Sequence, residues 1–334
     1  MNIESNLPAF CAFTDLAAER LGGKVLYATD DFFAEKENLI KPGRGIFIDD
    51  KYTDRGKWMD GWESRRKRTT GHDWCIVQLA TTGIIEGVDI DTNHFLGNHP
   101  PFASIEACNM EGATTENLIN ENTVWTEILS KSPLELGSQN FYKIDAKEKW
   151  THLKLHIYPD GGVARLKVYG QVSKDWSKHL KDEVVDLAAA INGAKALNCN
   201  DMFFSSKDNI NMPGRGINMG DGWETKRNRT SNNRDWLILQ LAHRGIIKKI
   251  VIDTCHFKGN YPDSFTLDGL DSNDMEEISD QSNWQPILPK AKLLAHHIHE
   301  FINETAAEQS FTHVRLSIYP DGGISRMRLL GKIS

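Results

Sequence analysis

The chain has 334 residues, with 39 Lys and Arg against 46 Asp and Glu and a net charge of −7, a balance that argues against the broad basic surface a nucleic acid requires. No run approaches the roughly 20 apolar residues of a bilayer-spanning helix, and no basic segment leads into an apolar core at the start, so a soluble cytoplasmic chain without a membrane partner is expected. Five cysteines, Cys11, Cys75, Cys108, Cys199 and Cys255, lack C-x-x-C spacing; this disfavours a disulfide framework or zinc cluster and fits a reducing compartment.

The chain is written twice. Asp15 to Gly170 recurs from Asp186 to Gly331, which predicts two domains, residues 1–172 and 173–334, each large enough to enclose a core. Pro42-Gly43-Arg44-Gly45 answers to Pro213-Gly214-Arg215-Gly216 at an offset of 171, but from Trp62 and Trp223 onward the offset is 161. The first copy therefore holds ten extra residues, roughly the polar stretch from Phe47 to Gly56.

In chain order, the glycine-flanked Arg44 and Arg215 come first. Small neighbours let a planar anion approach the guanidinium, although a tight turn whose arginine meets a nearby acid explains the pattern equally well. Next, Asp-Gly-Trp-Glu sets Glu63 and Glu224 beside an indole and ahead of Arg66, Arg68, Arg227 and Arg229. An aromatic wall raises a carboxyl pKa and suits acid–base work, whereas arginines lower it; a buried Trp plug with a neutralising Glu is the plainer option. Trp74–Leu79 and Trp236–Leu241 are short apolar runs expected as core strands covered on both faces.

Asp91 with His94, and Asp253 with His256, follow these strands. Such pairs serve as proton shuttles or as two ligands of a metal, provided the chain has left the strand between them; capping of the strand end by bonds to loop backbone is the alternative. Leu180, Val184, Leu187, Ala188 and Ile191 carry the spacing of an amphipathic helix of about three turns, ended by Gly193. At the close of each copy, alternating Leu153, Leu155 and Ile157, then Pro-Asp-Gly-Gly, then alternating Leu166 and Val168 predict a β-hairpin with one dry face, with Asp160 and Asp321 as turn residues. Arg165 and Arg326 open the returning strand on the opposite face. Many short strands joined by Gly- and Pro-rich loops favour a β-sandwich, whose loops gather at one edge.

Taken together, PGRG, DGWE with its trailing arginines, IDT-x-HF-x-GN and the closing IYPDGG-x-x-R resemble the allantoicase family from about Leu16 to Gly331. The resemblance implies an all-β chain of two tandem jelly-roll β-sandwich repeats, discoidin- or galactose-binding-like, with short flanking helices. It also implies a homo-oligomeric hydrolase of purine and allantoin degradation that splits allantoate into ureidoglycolate and urea. On that basis Arg44 and Arg215, helped by Arg165 and Arg326, are assigned to the substrate carboxylate, and Glu63 and Glu224 to acid–base work. Asp91 with His94, or Asp253 with His256, would orient water or a divalent ion; no cofactor is firmly implied. The competing class is a non-enzymatic tandem sandwich that binds a small carboxylate or sugar. His72, His99 and His156 face Arg234, Tyr261 and Ser317 in the other copy, so the two loop clusters differ chemically.

Overall fold

A computed structural model describes residues 7–180, 182–273, 278–302 and 309–334. The chain divides into two compact units, Met1–Lys174 and Asp175–Ser334. Twelve strands form the first: β1 (Thr14–Asp15), β2 (Lys24–Ala28), β3 (Tyr52–Thr53), β4 (Gly56–Lys57), β5 (Trp62–Glu63), β6 (Asp73–Asp91), β7 (Phe102–Cys108), β8 (Thr126–Pro133), β9 (Phe141–Lys143), β10 (Trp150–Tyr158), β11 (Gly162–Val163) and β12 (Arg165–Val172). Ten form the second among its described residues: β13 (Val185–Asp186), β14 (Lys195–Cys199), β15 (Trp223–Glu224), β16 (Asp235–Asp253), β17 (Ser264–Leu270), β18 (Gln285–Lys292), β19 (Ile298–Ile302), β20 (Phe311–Tyr319), β21 (Gly323–Ile324) and β22 (Arg326–Ile333).

The 19-residue β6 organises its unit. Its first half pairs with β2 and β10, and β10 continues the layer through β7 to β8. Its second half pairs with β9 and β12, and β12 with β1. The strand thus belongs to both layers and turns between them at Gly83, which faces Trp150 of β10 and Val172 of β12. A Cβ there would lie 2.5 Å from the Leu16 side chain and 2.8 Å from the Gln171 carbonyl, so the corner demands glycine. Gly245 makes the same corner in β16, opposite Phe311 and Ile333.

Alternation fills the space between the layers. Cys75, Val77, Leu153, Leu155, Ile85, Val88, Leu166 and Val168 are fully buried in one cluster, as period-two strands with one inward face require. The outer face of the first layer is also covered, by Ile76, Cys108 and Leu118, as expected for Trp74–Leu79. Leu118 belongs to α1 (Thr115–Ile119), a single turn closed at its start by a Thr114–Asn117 capping box. The second unit repeats the arrangement around its own core, including Leu237, Leu239, Ile250, Val314, Leu316 and Leu329. Each unit is the jelly-roll sandwich that the sequence pattern and family resemblance implied.

Two local expectations fail. The helix over Leu180–Ile191 is not formed: Leu180 and Val184 are exposed, while Val185 and Leu187 are buried. Val185 and Asp186 instead pair with β22, and Asp186 Oδ1 accepts the amides of Ala188 and Leu329. The side chain and the strand edge offer the backbone better partners than a helix would. Only a short 3₁₀ turn, Ala190–Asn192, precedes Gly193, whose φ of 109° does end it. Nor does the IYPDGG segment close a hairpin. β10 and β12 both pair with β6 and not with each other; between them β11 leaves to pair with β5, and the turn carries the chain from one layer to the other. Alternation is the same in either topology, because both strands face a single core.

Among the described residues no helix is long and apolar enough to cross a membrane.

Candidate active site

The functional candidates gather where both ends of β6 meet the crossing from β10 to β12. Beneath them lies a buried frame. Arg165, 3% exposed, donates from Nη2 to Asp60 Oδ2 at 2.7 Å and from Nη1 to the Asp60 carbonyl at 3.0 Å. The other task of Asp60 Oδ2 is to accept the Ile46 amide at 2.9 Å, which fixes the turn carrying Arg44. Gly45 packs so closely that a Cβ would come within 2.9 Å of the Asp60 carbonyl. Arg326 repeats the frame with Asp221, which accepts the Ile217 amide. Arg165 and Arg326 therefore do not reach outward to a substrate; they hold the turn from behind.

Arg44 turns to Asp91. Its Nε and Nη2 meet Oδ2 and Oδ1 at 2.7 and 2.8 Å, a two-pronged fit in which the acid is 2% and the arginine 45% exposed. Arg215 and Asp253 match it at 2.9 and 3.3 Å. Hydrogen bonds to the Asp91 carboxylate raise the Arg44 pKa. The remaining bond of Asp91 is with the Asn93 amide, not with His94. The Asp91 carboxylate is thus taken, as is the Nε–Nη2 edge of Arg44, while its Nη1 side stays half-exposed.

His94 stands beyond the end of β6 in a turn closed by Phe95 N–H to the Thr92 carbonyl, at a φ of 69° that an L residue rarely adopts. The chain has left the strand, as a working Asp–His motif required. His94 stacks on Phe47, ring centres 5.5 Å apart. His256, at φ 71°, instead bonds through Nε2 to the Gly216 carbonyl at 2.8 Å.

Trp62 and Trp223 are fully buried, each donating its indole N–H to a carbonyl, of Asp30 and Asp201. These are core plugs, and they push the neighbouring Glu63 and Glu224 toward the rim. Burial raises the pKa of both carboxyls above the ordinary range, while the side-chain amides of Asn98 and Asn260 pull the other way. The trailing arginines, which would have depressed the Glu pKa, are engaged elsewhere or exposed: Arg65 pairs with Asp30, and Arg66 and Arg68 face solvent.

In the first unit these groups open onto a cleft of about 540 Å³, lined by Glu63, His94 and Asn98 together with Phe47, Arg55 and Lys57. The last three come from the ten-residue insertion or its immediate edge. Sequence reasoning passed over them because they have no counterpart in the second copy; the signal was two basic side chains in a loop present once. Asp160 and Asp321 are turn residues that also accept the amides of Lys67 and Asn228, tying down the arginine-rich loops. His72 and His156 bond to each other at 2.8 Å and onward to Glu106, outside the cleft lining.

For a metal, the described residues bring together one group of three donors, Cys255, His256 and His296, within 4.8 Å. Two of its nitrogens are already used: His296 Nδ1 accepts the His256 amide and His256 Nε2 meets the Gly216 carbonyl.

The family profile described as the allantoicase repeat matches residues 14–173 and 185–334. A probable allantoicase of Pseudomonas savastanoi pv. phaseolicola is 48% identical over 328 residues, covering 97% of this chain and 98% of that protein. One of Photobacterium profundum is 48% identical over 325 residues, covering 96% and 97%. The crystal structure of allantoicase from Saccharomyces cerevisiae is 37% identical with a TM-score of 0.81, covering 95% of this chain and 92% of that one. With both repeats matched, relatives aligned along nearly their whole length and the sandwich architecture shared, this chain belongs to the allantoicase family.

Proposed function

We propose that this enzyme hydrolyses allantoate to ureidoglycolate and urea in purine degradation, using the cleft of the first unit. The observation that carries the assignment of the cleft is Glu63: a carboxyl held above its ordinary pKa by burial, at the mouth of an open cavity, in a motif present in both copies. Protonated Glu63 donates to the departing ureido nitrogen as the C–N bond breaks. Water then adds to the central carbon and returns a proton to the carboxylate, so one water is consumed and the acid is regenerated. His94 orients that water, and the Arg44–Asp91 pair positions His94 by fixing the turn from which it projects.

Free thiols without framework spacing suit a cytoplasmic enzyme, and exposed Phe203, Phe204 and Ile217 would serve a homo-oligomer. Urea release from allantoate by Glu63→Gln and Glu224→Gln, measured separately, tests the acid role. Glu63→Gln should lose on the order of 10²–10⁴ in kcat; wild-type turnover in that variant overturns it, whatever Glu224→Gln does.

A further inference from the structure

We propose that the β3–β4 hairpin of the first unit is the substrate's carboxylate clamp, with Lys57 and Arg55 supplying the cations, and that the second copy lacks such a clamp. This rests on the allantoate reading given above. Allantoate carries one permanent negative charge, and a cleft that binds it must answer that charge with donors. Arg44 already spends Nε and Nη2 on Asp91, and Arg165 is buried on Asp60. The cleft's own cations are Arg55 and Lys57.

Both are presented rather than consumed. The Lys57 ammonium lies 4.8 Å from the ring centres of Phe47 and of Tyr52, so two aromatic faces hold it without occupying its N–H donors. Its carboxylate neighbour, Asp49, is 3.8 Å away and 92% exposed, a contact that solvent and substrate displace easily. Arg55 leans on the Phe32 ring at 5.3 Å and gives Nη1 to the Phe32 carbonyl, leaving the rest of its fork uncommitted. Phe47 also stacks on His94. One insertion therefore couples the cationic side of the cleft to the imidazole beside the reacting carbon.

The second copy has the acid but not the clamp. Between Gly216 and Asp221 it has only Ile217–Asn218–Met219–Gly220, partly wound into a 3₁₀ turn, with no basic side chain. Glu224 and Asn260 keep their bond, Met219 Sδ lies 3.7 Å from the Asn260 amide, and His256 is held on the Gly216 carbonyl.

Steady-state kinetics of Lys57→Met, Arg55→Met and Lys57→Arg in the full chain decide this, with methylenediurea, the neutral analogue lacking the carboxylate, as a competitive inhibitor. Removing a charge-assisted bond should raise the allantoate KM roughly 10- to 100-fold in Lys57→Met, with kcat falling far less and the methylenediurea Ki unmoved. Lys57→Arg should restore most of the loss. An unchanged KM in both Met variants, or a Ki that rises in step with KM, overturns the clamp. Calorimetric binding of allantoate to Glu63→Gln keeps the two readings apart. An inactive Glu63→Gln whose affinity for allantoate is the same with and without the added Lys57→Met change refutes the hairpin and leaves the acid intact.

Discussion

A carboxyl that delivers a proton to departing urea is helped by a raised pKa, and burial at the rim shifts Glu63 in that direction. The Asn98 amide opposes it by donating to Oε1 at 2.6 Å and favouring the charged form. Asn98→Leu should therefore raise the Glu63 pKa further and move the alkaline limb of the kcat–pH profile to higher pH; a limb that moves toward acid contradicts the assignment. Asp89 provides a test of stability at the same scale. It is 1% exposed, and burial pushes its carboxyl up to about 7 against an ordinary 3.8, with Asp91 adding to the rise. Between those values the folded state holds a proton that the unfolded chain has released, so stability should fall as pH rises from about 4 to 7 and level off above. Asp89→Asn, which keeps an acceptor for Gln139, should flatten that slope in chemical denaturation across this range. Glu63 and His94, which line the cleft, stood out in the sequence as candidates because each has a counterpart in the other copy. Lys57 and Arg55 did not, since a loop present once has no internal comparison. That Arg44 meets Asp91 was equally hidden: the partners lie 47 positions apart, and only the folded sheet brings them together.

At the scale of elements, the site depends on a turn held from behind by a buried ion pair. Arg165 and Asp60 are 3% and 9% exposed, so removing one partner strands the other in the interior. Arg165→Met should cost about 3–5 kcal/mol of stability, measured by denaturant unfolding. A loss under about 1 kcal/mol would show that water reaches Asp60 readily. The alternation of Leu153, Leu155 and Ile157 with their neighbours correctly identified strands. It did not reveal where those strands go, because a hairpin and a layer crossing bury the same residues. Leu187 and Ala188 were rightly read as buried, yet their spacing suggested a helix; the Asp186 carboxylate, which accepts two backbone amides, decided the local structure against it.

Across the whole molecule, each unit carries its own apolar cluster and its own Trp plug. We therefore expect unit-specific damage. Trp62→Ala should destabilise the first unit by about 3–5 kcal/mol and split thermal unfolding into two transitions, whereas Trp223→Ala should lower the other. A single transition shifted equally by both would mean that the units fold as one. The repeat made the tandem architecture the most legible feature of the sequence.

The path of β6 has a further consequence, for how the chain tolerates being cut or lengthened. Since one continuous strand serves both layers, opening the chain at Thr82 or Gly83 would cut through the seam of the sandwich. New termini placed within Phe47–Gly56 would fall in a loop the second copy does without. A circular permutant opened there should fold yet bind its anion poorly, while one opened at Gly83 should lose the first unit.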